Sequence, residues 1–467
     1  MCEISFSVKQ ILSVENGYYH KGPLAADGGP SQAIRIRDTF NLWGKRFAQD
    51  SAPITVLGAS EAKFNLIVVC ELYHRDGAHV PFNAGMIEVI RLAFPEEKIV
   101  FCGEESHVEQ VRKQLDAAIS FFIRWNTIAP IPRNTSYFGR LLFAIKAIRG
   151  LVKFAGQSSN SRLIFTSISP STLVALKLMQ CWMLKNMPVQ VVSHGEIKEG
   201  VIGGRHRHPW RRFQEMRTAL TLFGRSRIQY LLLEHGLKDR ILQALPSLAE
   251  NIEVLEHPLP PNESNQHPRK LSSPVKFGFL GVANEVKGFP AFSKLAADMS
   301  TEHPGKAEFH VIGRLPPDAN SKPEMEFLTT KPTTERLSRD EYIERIKPLH
   351  FIIMPYHRDY YELSPSGTLL DAIAWQIPII ATRLPIFERS FKNYGDVGYL
   401  ITNEKELLAI VESLVERLDA GRYARQVSNL HKARLARKPE ALADVYREIC
   451  DRGMRLNVSV NGRKRAH

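Results

Sequence analysis

Short apolar runs alternate along this chain with longer stretches in which apolar residues recur every third or fourth position, and the alternation begins at Asn65. A run bounded by turn residues suits a strand buried on both faces, whereas a 3.6-residue period suits a helix with one buried stripe. The pattern predicts strands at LIVVC (66–70), IVFC (99–102), LIFTSI (163–168), VQVVS (189–193), YLLLE (230–234) and IEVLE (252–256), with helices between them such as Ala84 to Ala93 and Thr172 to Lys185. Strands that alternate with helices build parallel sheets. HPLPPNESNQHPRKLSSP (257–274) breaks the alternation, because its five prolines remove backbone donors, and it reads as a linker. The pattern then restarts with strands VKFGFLG (275–281), FHVIG (309–313), FIIMP (351–355), IIA (379–381) and GYLI (398–401), and helices near Phe289 to Met299 and Asp340 to Ile346. Helices from Glu404 to Leu418 and Pro439 to Cys450 and a basic tail, NGRKRAH, close the chain. The expectation is an α/β protein of two doubly wound domains, residues 1–257 (1–60 poorly defined) and 275–435, joined by the linker 258–274 and followed by a C-terminal helix and tail, 436–467. Open parallel sheets bind ligands beyond the carboxyl ends of their strands, so two of them should hold a cleft.

The segment SPSGTLLDAIAWQIPIIA (364–381) carries the clearest local chemistry. Pro365 suits a helix start, Gly367 allows close backbone approach, and Ser366 and Thr368 can cap the free N–H groups of the first turn. Such an N-terminus attracts anions. Leu369, Leu370, Ile373, Ala374 and Ile377 form the buried stripe, Asp371 lies one turn in, and Pro378 ends the helix.

Composition changes this picture in two ways. Lys and Arg total 62 against 49 Asp and Glu, a net charge of +13, which favours acidic partners: phosphorylated substrates or anionic surfaces. The five cysteines stand singly, without zinc or disulfide spacing, so a reducing cytoplasm and no metal are expected. No apolar segment approaches the roughly 20 residues needed to cross a bilayer, so membrane association would be peripheral, on the inner face. Arg133 to Lys153 carries five cations and no acid, interleaved with apolar residues, and Arg205 to Arg227 adds seven arginines against Glu215. These segments suit either an anionic membrane surface or an ordinary domain face. No recognition helix or RNA-binding aromatic pattern accompanies them, which excludes nucleic acid as the expected partner.

In chain order, YLLLEHGLKDRIL followed by EVLEHPLP, FLGVANEVKGFPAF, the segment 364–381 and GDVGYLITNEKELLAIVESL resemble glycosyltransferases of the GT-B architecture, two Rossmann-like domains facing a cleft. The resemblance spans roughly residues 185–450 and is closest in pattern to family 4, the group 1 type. It implies a metal-independent hexosyltransferase with no cofactor beyond a nucleotide-sugar co-substrate, and a glycan or lipid-linked acceptor. Donor contacts would come from Gly281, Lys287, Ser366, Gly367, Thr368 and Asp371. The family's arginine after the first C-terminal glycine is replaced by Val282, so that contact is either missing or supplied elsewhere, with Arg314 the candidate substitute. Retaining members carry two glutamates eight positions apart; here the second place is Asp371, the first is Leu363, and Glu362 is the neighbouring catalytic carboxylate.

On the acceptor side, His194 ends the strand 189–193, and the loop ELYHRDGAHVPFN holds Glu71, His74, Asp76 and His79. An imidazole or carboxylate there would bind or deprotonate the acceptor, with His194, Asp76 and His79 the catalytic candidates. A sugar-nucleotide epimerase on the same architecture and a non-catalytic nucleotide-sugar-binding partner protein are the alternatives.

Overall fold

The computed structural model describes residues 65–463 except 76, 78, 133, 157–160, 181, 182, 185, 186, 198–211, 213, 225, 262–269, 317–322 and 359–365, all within one compact unit, Val56–His467. The first half forms β1 (Leu66–Cys70), α1 (Val80–Ala93), β2 (Lys98–Gly103), α2 (Glu105–Gln114), α3 (Ala117–Phe121), β3 (Ile123–Thr127), α4 (Tyr137–Ala155), β4 (Arg162–Phe165), α5 (Pro170–Gln180), β5 (Val189–Ser193), α6 (Met216–Thr221), β6 (Ile228–Leu232), α7 (His235–Ala244) and β7 (Ile252–Val254). Its strands pair in parallel in the order β3-β2-β1-β4-β5-β6-β7. The second half forms β8 (Val275–Leu280), α8 (Phe289–Glu302), β9 (Ala307–Ile312), α9 (Arg339–Ile346), β10 (Phe351–Met354), α10 (Gly367–Ala374), β11 (Ile379–Thr382), α11 (Pro385–Tyr394), β12 (Gly398–Ile401), α12 (Glu404–Glu416), α13 (Ala420–Ala436) and α14 (Pro439–Arg463). Its sheet, also parallel, runs β12-β11-β10-β8-β9.

Both sheets are buried on both faces, which is why their strands read as continuous apolar runs. Within β1, Val68 and Cys70 face one core and Ile67 and Val69 the other. In the second sheet Phe277 and Phe279 point to one core, and Leu280, Ile352 and Met354 to the other. The strand order reverses between β1 and β4 and again between β8 and β10. Loops diverge to opposite faces at such points and leave a crevice.

Several elements differ from the sequence expectation. β3 was absent from it because IRWNT alternates apolar and polar residues at a sheet edge and makes no continuous run. β4 stops at Phe165, leaving Thr166 and Ser167 to turn toward Glu71. α10 stops at Ala374, well before Pro378. Gln376 takes the left-handed conformation (φ 53°), and the N–H groups of Gln376 and Ile377 bond the carbonyls of Ile373 and Ala372, a Schellman closure. α14 runs to Arg463 rather than ending near Cys450, and it packs Leu442, Ala443, Tyr446, Ile449 and Cys450 into a core of the first sheet.

The basic segment 133–153 falls largely on α4, whose Ala144, Ile148, Leu151, Val152 and Ala155 are buried in the first-sheet core. Lys146, Arg149 and Lys153 are exposed. Residues 205–211, 213 and 225 of the second basic segment lie outside the described residues, as do residues 1–64. Among the described residues no helix is long and apolar enough to cross a membrane. The linker region packs closely where it is described: Leu259 is buried and donates its N–H to the Arg437 carbonyl at 3.0 Å.

Candidate functional site

Donor-type residues gather at the reversal between β8 and β10. Gly281 follows β8 with φ 92°, a conformation favourable to glycine, and a β-carbon there would lie 2.6 Å from Lys287 Nζ. Lys287 ends a single 3-10 turn, Glu285–Lys287, where the Asn284 side chain accepts the Lys287 N–H at 3.0 Å. The next residue, Gly288 (φ 73°), runs so close to the following loop that a β-carbon would stand 1.9 Å from the Pro355 carbonyl oxygen. This folds the lysine back over the strand end, where Nζ donates to the Leu280 carbonyl at 3.3 Å and lies 5.9 Å from the centroid of the Tyr356 ring. Burial pushes Lys287 down to about 8, and the nearby Asp371 carboxylate opposes that shift.

The helix start of 366–371 forms as its sequence predicts at one position and departs at two others. Ser366 is the N-cap, accepting the Leu369 N–H at 3.2 Å. Gly367 opens α10 and is exposed, and among the described residues a β-carbon there would meet nothing within 4 Å. Thr368 is buried within the first turn beside the Tyr356 hydroxyl rather than acting as a second cap. Asp371 reaches sideways: its Oδ2 accepts the Tyr342 hydroxyl at 2.7 Å and its Oδ1 the Arg339 guanidinium at 3.3 Å. Arg314 is exposed; its backbone bridges Thr333 and accepts the Ala283 N–H at 2.9 Å. Glu362 lies outside the described residues.

Arg339 and Tyr342 escaped the sequence reading. The capping box Ser338-x-x-Glu341 marks the start of α9 and puts both residues on one face, three apart, but their meeting with Asp371 depends on the packing of α9 against α10.

The other group of candidates stands at the reversal between β1 and β4. Glu71 is 1% exposed, and its carboxylate accepts the backbone N–H groups of Tyr73 (2.9 Å) and His74 (3.1 Å) and the hydroxyls of Ser167 and Thr166. His79 sits just before α1 in the left-handed conformation (φ 60°). Its ring lies between those of His74 and His194, with centroids 3.7 and 3.9 Å away. His194 Nε2 donates to the Thr166 carbonyl at 2.9 Å, and the His194 N–H donates to Glu196 at 2.8 Å. Phe82 packs edge-on against both His194 and His257. Burial, reinforced by the neighbouring histidines, pushes His79 far below the ordinary imidazole range and His194 down to about 3. Burial also holds His257 down to about 4, so these rings stay neutral at physiological pH. Asp76 lies outside the described residues. Next to it, Gly77 meets the second half of the chain, since a β-carbon there would lie 3.0 Å from the Arg336 guanidinium.

No family model matches this chain, and no curated protein matches it. Solved structures do. HepE of Anabaena, in complex with UDP and glucose, matches with a TM-score of 0.53 at 13% identity, covering 85% of this chain and 100% of its own. A glycosyltransferase from Rickettsia africae gives 0.55 at 14% identity over 83% and 99%, and TarM 0.57 at 10% over 82% and 98%. At such identities the likeness establishes the architecture: two parallel α/β sheets of the Rossmann-like kind, as in these structures.

Proposed function

We propose that the protein is a hexosyltransferase that moves a sugar from a nucleotide-diphosphate donor to a glycan or lipid-linked acceptor in polysaccharide or glycolipid assembly. One observation carries this reading. At the reversal point of the second sheet, the Lys287 ammonium stands near the Asp371 carboxylate of α10 and 5.9 Å from the centroid of the Tyr356 ring, whose hydroxyl neighbours Ser366 and Thr368 at the start of that helix. A departing nucleoside diphosphate gains negative charge as the sugar's anomeric C–O bond breaks, and a fixed ammonium and free helical N–H groups stabilise that charge more in the transition state than in the ground state. No metal on the diphosphate is required. Gly281 and Gly367 would let the phosphates approach the backbone, and Asp371, oriented by Tyr342 and Arg339, would be the carboxylate for the ribose hydroxyls. A UDP-sugar is the first donor to try, because the HepE structure holds UDP and glucose.

The acceptor would enter from the first sheet beside His194 and His79, and Asp76 and Glu362, which lie outside the described residues, are further candidates from the sequence. The exposed Lys146, Arg149 and Lys153 on α4 suit an anionic bilayer holding a lipid-linked acceptor. Sedimentation with phosphatidylglycerol vesicles that is lost when all three become glutamate supports that placement; equal sedimentation removes it.

The assay is transfer of labelled sugar from a nucleotide-sugar panel to membrane lipid extract. Lys287→Ala should raise the barrier by about 2–4 kcal/mol, roughly 30- to 1,000-fold in rate. Transfer at the unmutated rate would refute the assignment of Lys287 to the donor. Product formed without any acceptor would favour an epimerase.

A further inference from the structure

The loop after β1 carries a second feature that does not depend on the transferase reading. Oε1 of Glu71 is occupied by the Tyr73 and His74 N–H groups and the Ser167 hydroxyl, which fix the carboxylate's orientation. Oε2 accepts the Thr166 hydroxyl at 3.2 Å and faces Nδ1 of His79 across 4.0 Å. That nitrogen is buried and has no hydrogen-bond partner among the described residues. A separation of 4.0 Å is too long for a hydrogen bond. Two ligands about 2.0–2.1 Å from one ion stand roughly 3.3 Å apart at a tetrahedral centre and at most about 4.2 Å apart, so the present spacing lies inside that limit and would close by a small side-chain rotation on binding.

His74 completes the set, with its ring 3.7 Å from that of His79 and the ligand atoms of Glu71, His74 and His79 all within 4.8 Å of one another. Two imidazoles and one carboxylate are the donors zinc takes in open sites, leaving a fourth position for water or a substrate oxygen. The imidazoles bias the site toward zinc, cobalt, nickel or copper over magnesium. The surroundings are built as such sites are. The carboxylate is oriented by hydrogen bonds, and His194, tied to the Thr166 carbonyl, stacks on His79 and holds its ring. The His79 side chain as a whole keeps 24% of its surface exposed, although its Nδ1 is buried. We infer that Glu71, His74 and His79 form a binding site for one divalent transition-metal ion, of which zinc is the type.

The full-length protein, stripped with a chelator and titrated with Co²⁺ alone, should bind one ion per chain with the visible absorption of a four-coordinate site, and Zn²⁺ should displace it. His79→Asn tests the site without disturbing the backbone, because asparagine tolerates the left-handed conformation at that position (φ 60°). His79→Asn and His74→Ala should each weaken Co²⁺ binding at least tenfold while far-UV circular dichroism stays unchanged. Lys287→Ala should bind Co²⁺ as the unmutated protein does, which separates this inference from the donor assignment. The absence of stoichiometric Co²⁺ and Zn²⁺ binding by the unmutated protein, or undiminished binding by both histidine variants, overturns it. If either variant fails to fold, the titration of the unmutated protein decides alone.

Discussion

Lys287 illustrates how one residue's chemistry is set by its immediate neighbours. Two glycines with positive φ, 281 and 288, let the backbone fold the lysine over the end of β8, and burial holds its ammonium at about 8 rather than near 10.5. The protonated form is the one that would hold a diphosphate, so donor affinity should fall by about one proton's dependence as pH rises through 8. Lys287→Arg, which stays charged, should flatten that limb. The same shift acts on stability with the opposite sign. Below pH 8 the lysine is charged in both folded and unfolded chains and the burial cost is fully present; between about 8 and 10.5 only the unfolded chain keeps its proton, so stability rises with pH. Gln376 offers a cleaner residue-scale test. It occupies the left-handed position of a Schellman closure that glycine fills at lower cost, so Gln376→Gly should stabilise the protein by about 1 kcal/mol in urea unfolding. A loss of stability would mean that the side chain does more than the backbone argument allows.

At the scale of elements, most of the strands were legible because a parallel sheet covered on both faces demands continuous apolar runs, and Leu66–Cys70 and Gly398–Ile401 appear with the bounds their sequence suggests. The edge strand Ile123–Thr127 was not, since one polar side of an edge strand removes the run. Local motifs in the candidate site were legible for the same reason: Gly281, Lys287 and the Ser366 cap depend on neighbours in sequence. Contacts that join distant segments were not. Nothing near position 371 announces Tyr342 or Arg339, and nothing near 71 announces Thr166 and Ser167. The final helix belongs to that class too. Its Tyr446 is fully buried against the first sheet and donates its hydroxyl to Gln190 Oε1 at 2.6 Å. Tyr446→Ala should therefore cost about 3–5 kcal/mol of unfolding free energy. A loss below 1 kcal/mol would show that α14 contributes little to that core.

Across the whole molecule, the two reversal points do the organising. Each brings the loops of two neighbouring strands to one place, β1 with β4 around Glu71 and β8 with β10 around Lys287, and Gly77 brings the first cluster up to Arg336 of the second half. The chain crosses between halves at Leu259 and returns through α14; between α13 and α14 the Arg437 guanidinium stands 3.4 Å from Glu256 and its carbonyl accepts the Leu259 N–H. The proposed donor role centres on the loops around Lys287, and donor binding is what tests it. Isothermal titration of the full-length protein with UDP-, GDP- and ADP-sugars should give one donor that binds with a one-to-one stoichiometry and raises the unfolding temperature by mass action. Lys287→Ala should weaken that donor at least tenfold. Failure of every nucleotide sugar to bind, or equal binding to Lys287→Ala, would contradict the account.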